Sequence, residues 1–347
     1  MKMHKFYVGL IHFNEDFGID LTKRLNELDP IYNSDKKLVK IEAEHIIIHE
    51  VDIDYNTKYH MIIDRGSHFL KHAAGVLMSF AFRGIYIVNN PFSFHYFISN
   101  KDVGFSIAYD LGLNIPTTYV LPSCLTPAFI KEDFVFHRHF NWDKMLAKVG
   151  FPCYIKPAQG HGAFNVNKAH NKSELLKYYN ASGSKVMTVQ SAVMGPFNWE
   201  VRCLCIGKII KPIKYIFKKG DRSRYIVEEN FLTPKQGKKI IDSARILNRI
   251  FGYEMNTIEF ILDYEGNPWA IDFNNPVPDA RKDILGKIFY EDYMSSMIKM
   301  VCDVARTRKK SLFIPPINKF CKIAQKKISR NKKFELALKV ANQYYHN

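Results

Sequence analysis

The sequence predicts an α/β protein. A largely parallel N-terminal sheet fills residues 1–121, two α+β subdomains follow over 122–195 and 196–300, and a basic helical tail closes the chain over 301–347. Three observations carry this reading. The short apolar runs FYVGLI, HIIIHEV, YHMIID and GIYIVN, separated by helical stretches, have the continuous hydrophobicity of buried parallel strands. CYIKP runs into Ala158-Gln159-Gly160-His161-Gly162-Ala163-Phe164-Asn165-Val166, a strand, a glycine loop and a strand. TIEFILD and WAIDFNN alternate apolar and polar residues on either side of Tyr264-Glu265-Gly266-Asn267-Pro268, the pattern of a hairpin.

The elements follow in order. MKMHKFYVGLIHF lacks a small-residue cleavage site and reads as a first strand. MIID is followed by Arg65-Gly66-Ser67-His68, and IYIV by Asn89-Asn90-Pro91. Ligands of open α/β sheets bind beyond the carboxyl ends of the strands, so Arg65, Ser67 and His68 are candidates for holding an acidic substrate. A helix begins after Asn100 and ends at Gly112, a left-handed cap. Ile115-Pro116-Thr117-Thr118-Tyr119-Val120 reads as a strand, and a proline-containing junction follows from Pro122 to Trp142. His137 and His139 within it have no third ligand nearby, which argues against zinc. Helices are expected over 142–149, 171–180 and 234–251, the last opened by Thr233-Pro234 and closed near Gly252.

Composition excludes several classes. Of 347 residues, 47% are hydrophobic and 24% charged, the proportions of a globular chain, and no apolar run is long enough to span a bilayer. The six cysteines form no CxxC pair and read as free thiols of a cytoplasmic protein. Residues 301–347 hold 12 Lys/Arg against 2 Asp/Glu, so +10 of the +16 net charge lies in the tail. The tail reads as a docked amphipathic helix with Phe320, Ile323, Phe334 and Leu338 inward. A sharper reading gives its basic face a polyanion, nucleic acid or acidic surface to meet.

Alternation places Thr257, Glu259 and Ile261 on one face of the first hairpin strand, and Ala270, Asp272 and Asn274 on one face of the second. Glu259 should then lie opposite Asp272 or Asn274, gathering the oxygen ligands that Mg2+ prefers. The two glycines of the 158–166 loop free its backbone N–H groups to wrap phosphate oxygens, and Lys156 at the end of the preceding strand would fix an ammonium beside them. The loop is not a P-loop, since neither GK[ST] nor a helix follows it.

The order of these elements resembles the ATP-grasp superfamily, the fold of glutathione synthetase, D-alanine–D-alanine ligase and the ribosomal-protein S6 modification ligases. The motifs are Lys101 before a helix, Lys156-Pro157 with its glycine loop, VQSAV, EVRCLCIGK and the IEF…IDFN hairpin, and the resemblance covers about residues 100–285. It implies an N-terminal pre-ATP-grasp domain followed by two subdomains that clamp ATP. Lys101 and Lys156 would contact the phosphates, and Gly160, His161 and Gly162 would form a lid over them. Gln190 through Ala192 and Val193 would line the adenine, and Glu200 would receive the ribose hydroxyls. Glu259, Asp272 and Asn274 would hold Mg2+ or Mn2+; the separations of thirteen and two fit, with Asp in place of the usual Glu. Several peptide ligases of the family carry an arginine where Thr257 stands, so Arg202, Arg222 or Arg224 is expected to supply that charge.

The resemblance implies an ATP-dependent carboxylate–amine ligase acting through an acylphosphate, with a small-molecule or peptide carboxylate and an amine acceptor as substrates. A homodimer would be ordinary for such a chain. Two alternatives stand beside it. One is a kinase of a polyanionic, inositol phosphate-like substrate received by the basic stretch 208–224, including Lys214. The other is a nucleotide-binding regulatory protein with little catalysis.

Overall fold

The structure is a computed structural model. It describes residues 3–13, 16–49, 51–52, 55–98, 100–124, 141–158, 165–216, 224–307, 309 and 315–346, with Lys71, Ile98 and Arg224 described for their backbone only. Three sheets follow one another along the chain.

The first contains β1 (His4–Ile11), β2 (Ile31–Tyr32), β3 (Leu38–His45), β4 (Met61–Asp64) and β5 (Tyr86–Val88) in the order β2-β3-β1-β4-β5. All its neighbours are parallel except β2 and β3. The run HIIIHEV, expected as a strand, proves to begin where β3 ends. Val39, Ile41 and Ala43 alternate inward along β3, whereas Ile47 is 76% exposed and only the Ile46 N–H extends the pairing, to Leu10 O at 2.9 Å. Two-residue alternation, not unbroken hydrophobicity, marks this strand. Helix α1 (Asp16–Glu27) covers one face and α2 (Lys71–Phe82) the other. Helices α3 (Pro91–Ile98) and α4 (Lys101–Asp110) lead out of the domain.

The second sheet is antiparallel: β6 (Thr118–Leu121), β7 (Cys153–Pro157), β8 (Asn167–Ala169) and β9 (Met187–Ser191), in the order β6-β9-β7-β8. Helices α5 (Trp142–Val149) and α6 (Lys172–Asn180) pack on it through Met145 and Leu175, against Ile155 and Val189. Asn171 caps α6, its side chain accepting from Glu174 N at 2.9 Å.

The third sheet, also antiparallel, has β10 (Glu200–Ile206), β11 (Ile209–Ile216), β12 (Arg224–Ile226), β13 (Met255–Leu262) and β14 (Pro268–Asn275), in the order β12-β11-β10-β13-β14. Helix α7 (Pro234–Phe251) lies on one face. A capping box between Thr233 and Gln236 starts it and Gly252, at φ 67°, ends it. Helix α8 (Lys282–Thr307) lies on the other face, where Met255, Leu204 and Tyr293 share one core with Val8, Phe17 and Leu21 of the first domain.

Asn89 pins that junction. Its Nδ2 donates to Met255 O (2.7 Å) and Pro276 O (2.9 Å), and its Oδ1 accepts from Glu254 N and Met255 N, both at 2.8 Å. Both donors and both acceptor positions of the amide are thereby used.

The tail forms α9 (Ile317–Ala324) and α10 (Arg330–Tyr345), docked on α7 through buried Phe320, Ile323, Phe334, Ala337 and Ala341, with Leu338 partly buried. All six cysteines are free thiols, and among the described residues no helix is long and apolar enough to cross a membrane.

Gly112, just past α4, lies against the tail. Its φ is +86°, and a Cβ there would meet Arg330 O at 2.2 Å, while the Arg330 guanidinium donates to Leu113 O at 2.6 Å. Gly112→Ala is therefore expected to lower the unfolding free energy by about 1–2 kcal/mol from backbone conformation alone, and further through the backbone clash. Gly237→Ala, inside α7 with nothing within 4 Å, should instead stabilise by roughly 0.5–1 kcal/mol. Urea midpoints measure both, and an unshifted midpoint for Gly112→Ala would contradict the docking described.

Candidate functional site

The site is assembled on the β13–β14 hairpin. Antiparallel register sets Glu259 directly opposite Asp272. Two register shifts on β14 flank this pair, between Thr257 and Glu259 and between Glu259 and Phe260. They give β14 extra residues relative to β13, and extra residues bend a strand and re-aim its side chains. Asn274 therefore does not simply repeat the direction of Asp272. It is 2% exposed, accepts at Oδ1 from Tyr253 OH (3.4 Å), and lies against α4, where a Cβ on Gly104 would sit 3.1 Å from its Nδ2. Ile271, bypassed by the ladder, offers its carbonyl to Lys156 Nζ at 3.1 Å.

Three cations from three elements meet the acids. Lys101, the first residue of α4, places Nζ 3.0 Å from Asp272 Oδ2. Arg202 is the β10 partner of Glu259. Its Nη2 lies 2.8 Å from Glu259 Oε1, its Nε 3.0 Å from Glu200 Oε1, and its guanidinium 3.6 Å from the Tyr215 ring centroid. Lys156 reaches across from β7; its Nζ also donates to Gln190 Oε1 (2.9 Å), and Gln190 Nε2 donates to Thr118 Oγ1 (2.9 Å). Three positive side chains thus face Glu200, Glu259 and Asp272.

Crowding shifts their proton affinities. Burial pushes Glu259 up to about 7; Arg202 pulls it down, while Glu200 and Asp272 push it up further. Burial likewise raises Asp272, but the Lys101 and Lys156 ammoniums outweigh it and hold the carboxyl below the usual range. Lys156 falls to about 8, chiefly by burial and also through Lys101, with Asp272 opposing. Burial raises Glu200 against the pull of Arg202.

The other sequence candidates fall elsewhere. Arg65 is 3% exposed and holds the domain junction, donating to Tyr293 OH (2.9 Å) and Pro278 O (3.0 Å) and stacking on Phe17. Ser67 Oγ donates to Asp64 and lies 3.0 Å from His95 Nε2; His68 packs among Phe13, Phe69 and Phe94. Lys214 pairs in register with Val201, on the face opposite Arg202, and bonds Glu228 at 2.6 Å. Thr257 is buried. Ala192 donates its N–H to Pro152 O at 3.2 Å, and Val193 is half-buried in the same linker. Gly160, His161, Gly162, Arg222, His137 and His139, and the side chain of Arg224, lie outside the described residues. The sequence reading missed the roles of Asn89 and of the buried Asp64–Ser67–His95 chain. In each case the available signal is a polar residue at the carboxyl end of a parallel strand.

Solved structures share this architecture. D-alanine–D-alanine ligase from Bacillus anthracis, complexed with ATP, superposes with a TM-score of 0.56 at 14% identity over 88% of this chain and 98% of that one. This is an ATP-grasp fold. A second ATP-grasp neighbour, the macrocyclase MdnC bound with precursor peptide MdnA from Microcystis aeruginosa, superposes with a TM-score of 0.56 at 15% identity over 86% of this chain and 100% of that one. At the sequence level, D-alanine–D-alanine ligase from Bacillus velezensis is 23% identical over 208 residues, 54% of this chain and 57% of the relative. The chain spans about half the length of the curated relatives it matches. No family model matches it.

The candidate metal set is the two facing carboxylates of Glu259 and Asp272, with Asn274 two residues on along β14 and its amide turned to Tyr253 and α4. Among the described residues there is no cluster of three or more His, Cys, Asp or Glu placed to hold a metal. An all-oxygen set of this size suits a hard cation that completes its shell with water and phosphate oxygens.

Because Glu259 titrates near 7 when folded against 4.5 ordinarily, the folded chain keeps a proton that the unfolded chain has lost between those values. The stability this confers is present at low pH and disappears as pH rises through about 7. Glu259→Gln cannot titrate. The unfolding free energy of the native protein minus that of Glu259→Gln should therefore fall from about pH 5 to about pH 8. Urea titrations across that range measure it, and a flat difference would refute the assignment.

Proposed function

We propose that this chain is an ATP- and Mg2+-dependent carboxylate–amine ligase working through an acylphosphate. The observation that carries the proposal is the convergence of Lys101 and Lys156 on the Glu259–Asp272 pair. Fixed ammoniums beside oxygen ligands suit a metal–polyphosphate, and the relatives that share the fold include amide-forming ligases.

Glu259, Asp272 and Asn274 would hold Mg2+, which would neutralise phosphate charge. Lys101 would exchange Asp272, and Lys156 the Ile271 carbonyl, for phosphate oxygens. Phosphate oxygens beside Lys156 would restore the full charge that burial weakens. Arg202 would keep Glu259 and Glu200 in place, with Glu200 turned to the ribose. Gln190, Ala192 and Val193 would line the adenine, Gln190 at the same time steadying Lys156.

The chemistry then needs no side-chain nucleophile. A substrate carboxylate oxygen bonds to the γ-phosphorus as the bond to the β-phosphate oxygen breaks, and ADP leaves. The lone pair of an amine attacks the acyl carbon, the acyl–phosphate bond breaks, phosphate departs and the nitrogen loses a proton. The protein aligns the reactants and supplies charge where it develops. The acid would be a small molecule or a peptide.

The reading is tested with MgATP and pools of amino acids and peptides, scoring released phosphate and trapping the acylphosphate with hydroxylamine as a hydroxamate. A substrate-dependent hydroxamate is expected, and Asp272→Asn should lower kcat by about 10²-fold or more without unfolding the chain. Transfer of phosphate to a polyol with no free phosphate, or an Asp272→Asn variant of full activity, would overturn it.

A further inference from the structure

We propose that the seam between the tail and the body of the protein is a second anion site, fitted to a small molecule carrying two or three phosphates. A cavity of about 440 Å³ opens there, within the size range of small-molecule sites. Five cations from four parts of the chain line it. They are Lys208 in the β10–β11 turn, Arg249 in the last turn of α7, Arg306 and Lys309 at the end of α8, and Lys319 in α9. Among the described lining residues Asp303 is the one acid, 3.7 Å from Arg306.

The charge surplus exceeds what the fold itself requires. Five cations less one carboxylate leave four positive charges. The carboxyl ends of α7 and α8 also point into the seam, and each helix end counts as roughly half a negative charge. About three positive charges remain uncompensated, the complement of a di- or triphosphate.

The cations are also held in place. Arg249 and Lys309 lie 5.0 and 5.3 Å from the centroid of the Tyr344 ring, and the Tyr344 hydroxyl is anchored on Glu254, which Tyr86 of the first domain also binds. Lys319 Nζ rests 3.3 Å from Gln343 Oε1. Fixed donors around a concave space favour a compact anion over an extended strand. The seam is separate from the proposed nucleotide site, because Arg202 lies four residues before the Ile206 end of β10, about 13 Å of strand, and Lys208 lies past that end in the turn. An occupant would clamp α10 to α7 and α8.

The test is calorimetric titration of the full chain with inorganic tripolyphosphate, in excess Mg2+, with the main site filled by a non-hydrolysable ATP analogue. One further site is expected, weakening as salt rises. Arg306→Glu combined with Lys319→Glu should weaken it by about tenfold or more. Lys101→Met should leave it intact. Circular dichroism checks that the variants fold, and Lys319→Gln serves as the milder substitution if the double variant does not. Absence of binding, equal binding by the charge-reversed variant, or loss of binding in Lys101→Met would overturn the proposal. So would retention of a single-stranded oligonucleotide or anionic vesicles in place of tripolyphosphate.

Discussion

Two carboxylates set opposite each other on neighbouring strands repel, and burial makes each costlier to charge. Glu259 and Asp272 stand in that relation, so the hairpin persists only because cations arrive from outside it. Arg202 comes from the adjacent strand, Lys101 from the start of α4 and Lys156 from the small sheet. With Glu200 beside Arg202, three acids meet three cations, and the charges balance only when all three parts of the chain are in place. Deleting one member of this partly buried cluster leaves an opposing charge without its partner, which destabilises the fold. The arrangement of the site and the folding of the protein are therefore one problem.

The same arrangement leaves the site ready. Lys101 and Lys156 rest on protein oxygens at positions from which a phosphate could displace those oxygens, so little side-chain ordering is left for the moment of binding. Lys156 is the most poised member, because burial has weakened its hold on the proton and an anion bound there would restore it. Arg202 is the opposite case. It is fixed by two carboxylates and the Tyr215 face, so it serves the site by holding acids rather than by moving.

How far the sequence speaks depends on whether periodicity survives in the fold. The facing of Glu259 and Asp272 is legible because a tight turn and two-residue alternation determine it. The path of Asn274 is not, because register shifts re-aim β14 and leave no mark in the residue pattern. Beyond the hairpin, the docked tail with Phe320, Ile323 and Phe334 inward is legible from helical spacing alone. The strand at Leu38–His45 hides behind the more apolar run that follows it. Arg65 illustrates a deeper limit: a strand-end arginine suggests a ligand, yet its partners are a tyrosine and a carbonyl more than 200 residues away, which no local pattern can announce.

Asn89 carries a consequence for how such a protein can change over time. Its single amide grips the start of β13 and the residue just after β14, the two strands that bear the site carboxylates. The first domain is thus not an interchangeable cassette, although it has a sheet of its own. Replacing it wholesale would strip four backbone groups of their partners at the foot of the β13–β14 hairpin. New substrates would have to be acquired by altering loops around a fixed junction, and any lineage that exchanged the whole domain would need to bring the matching hairpin with it.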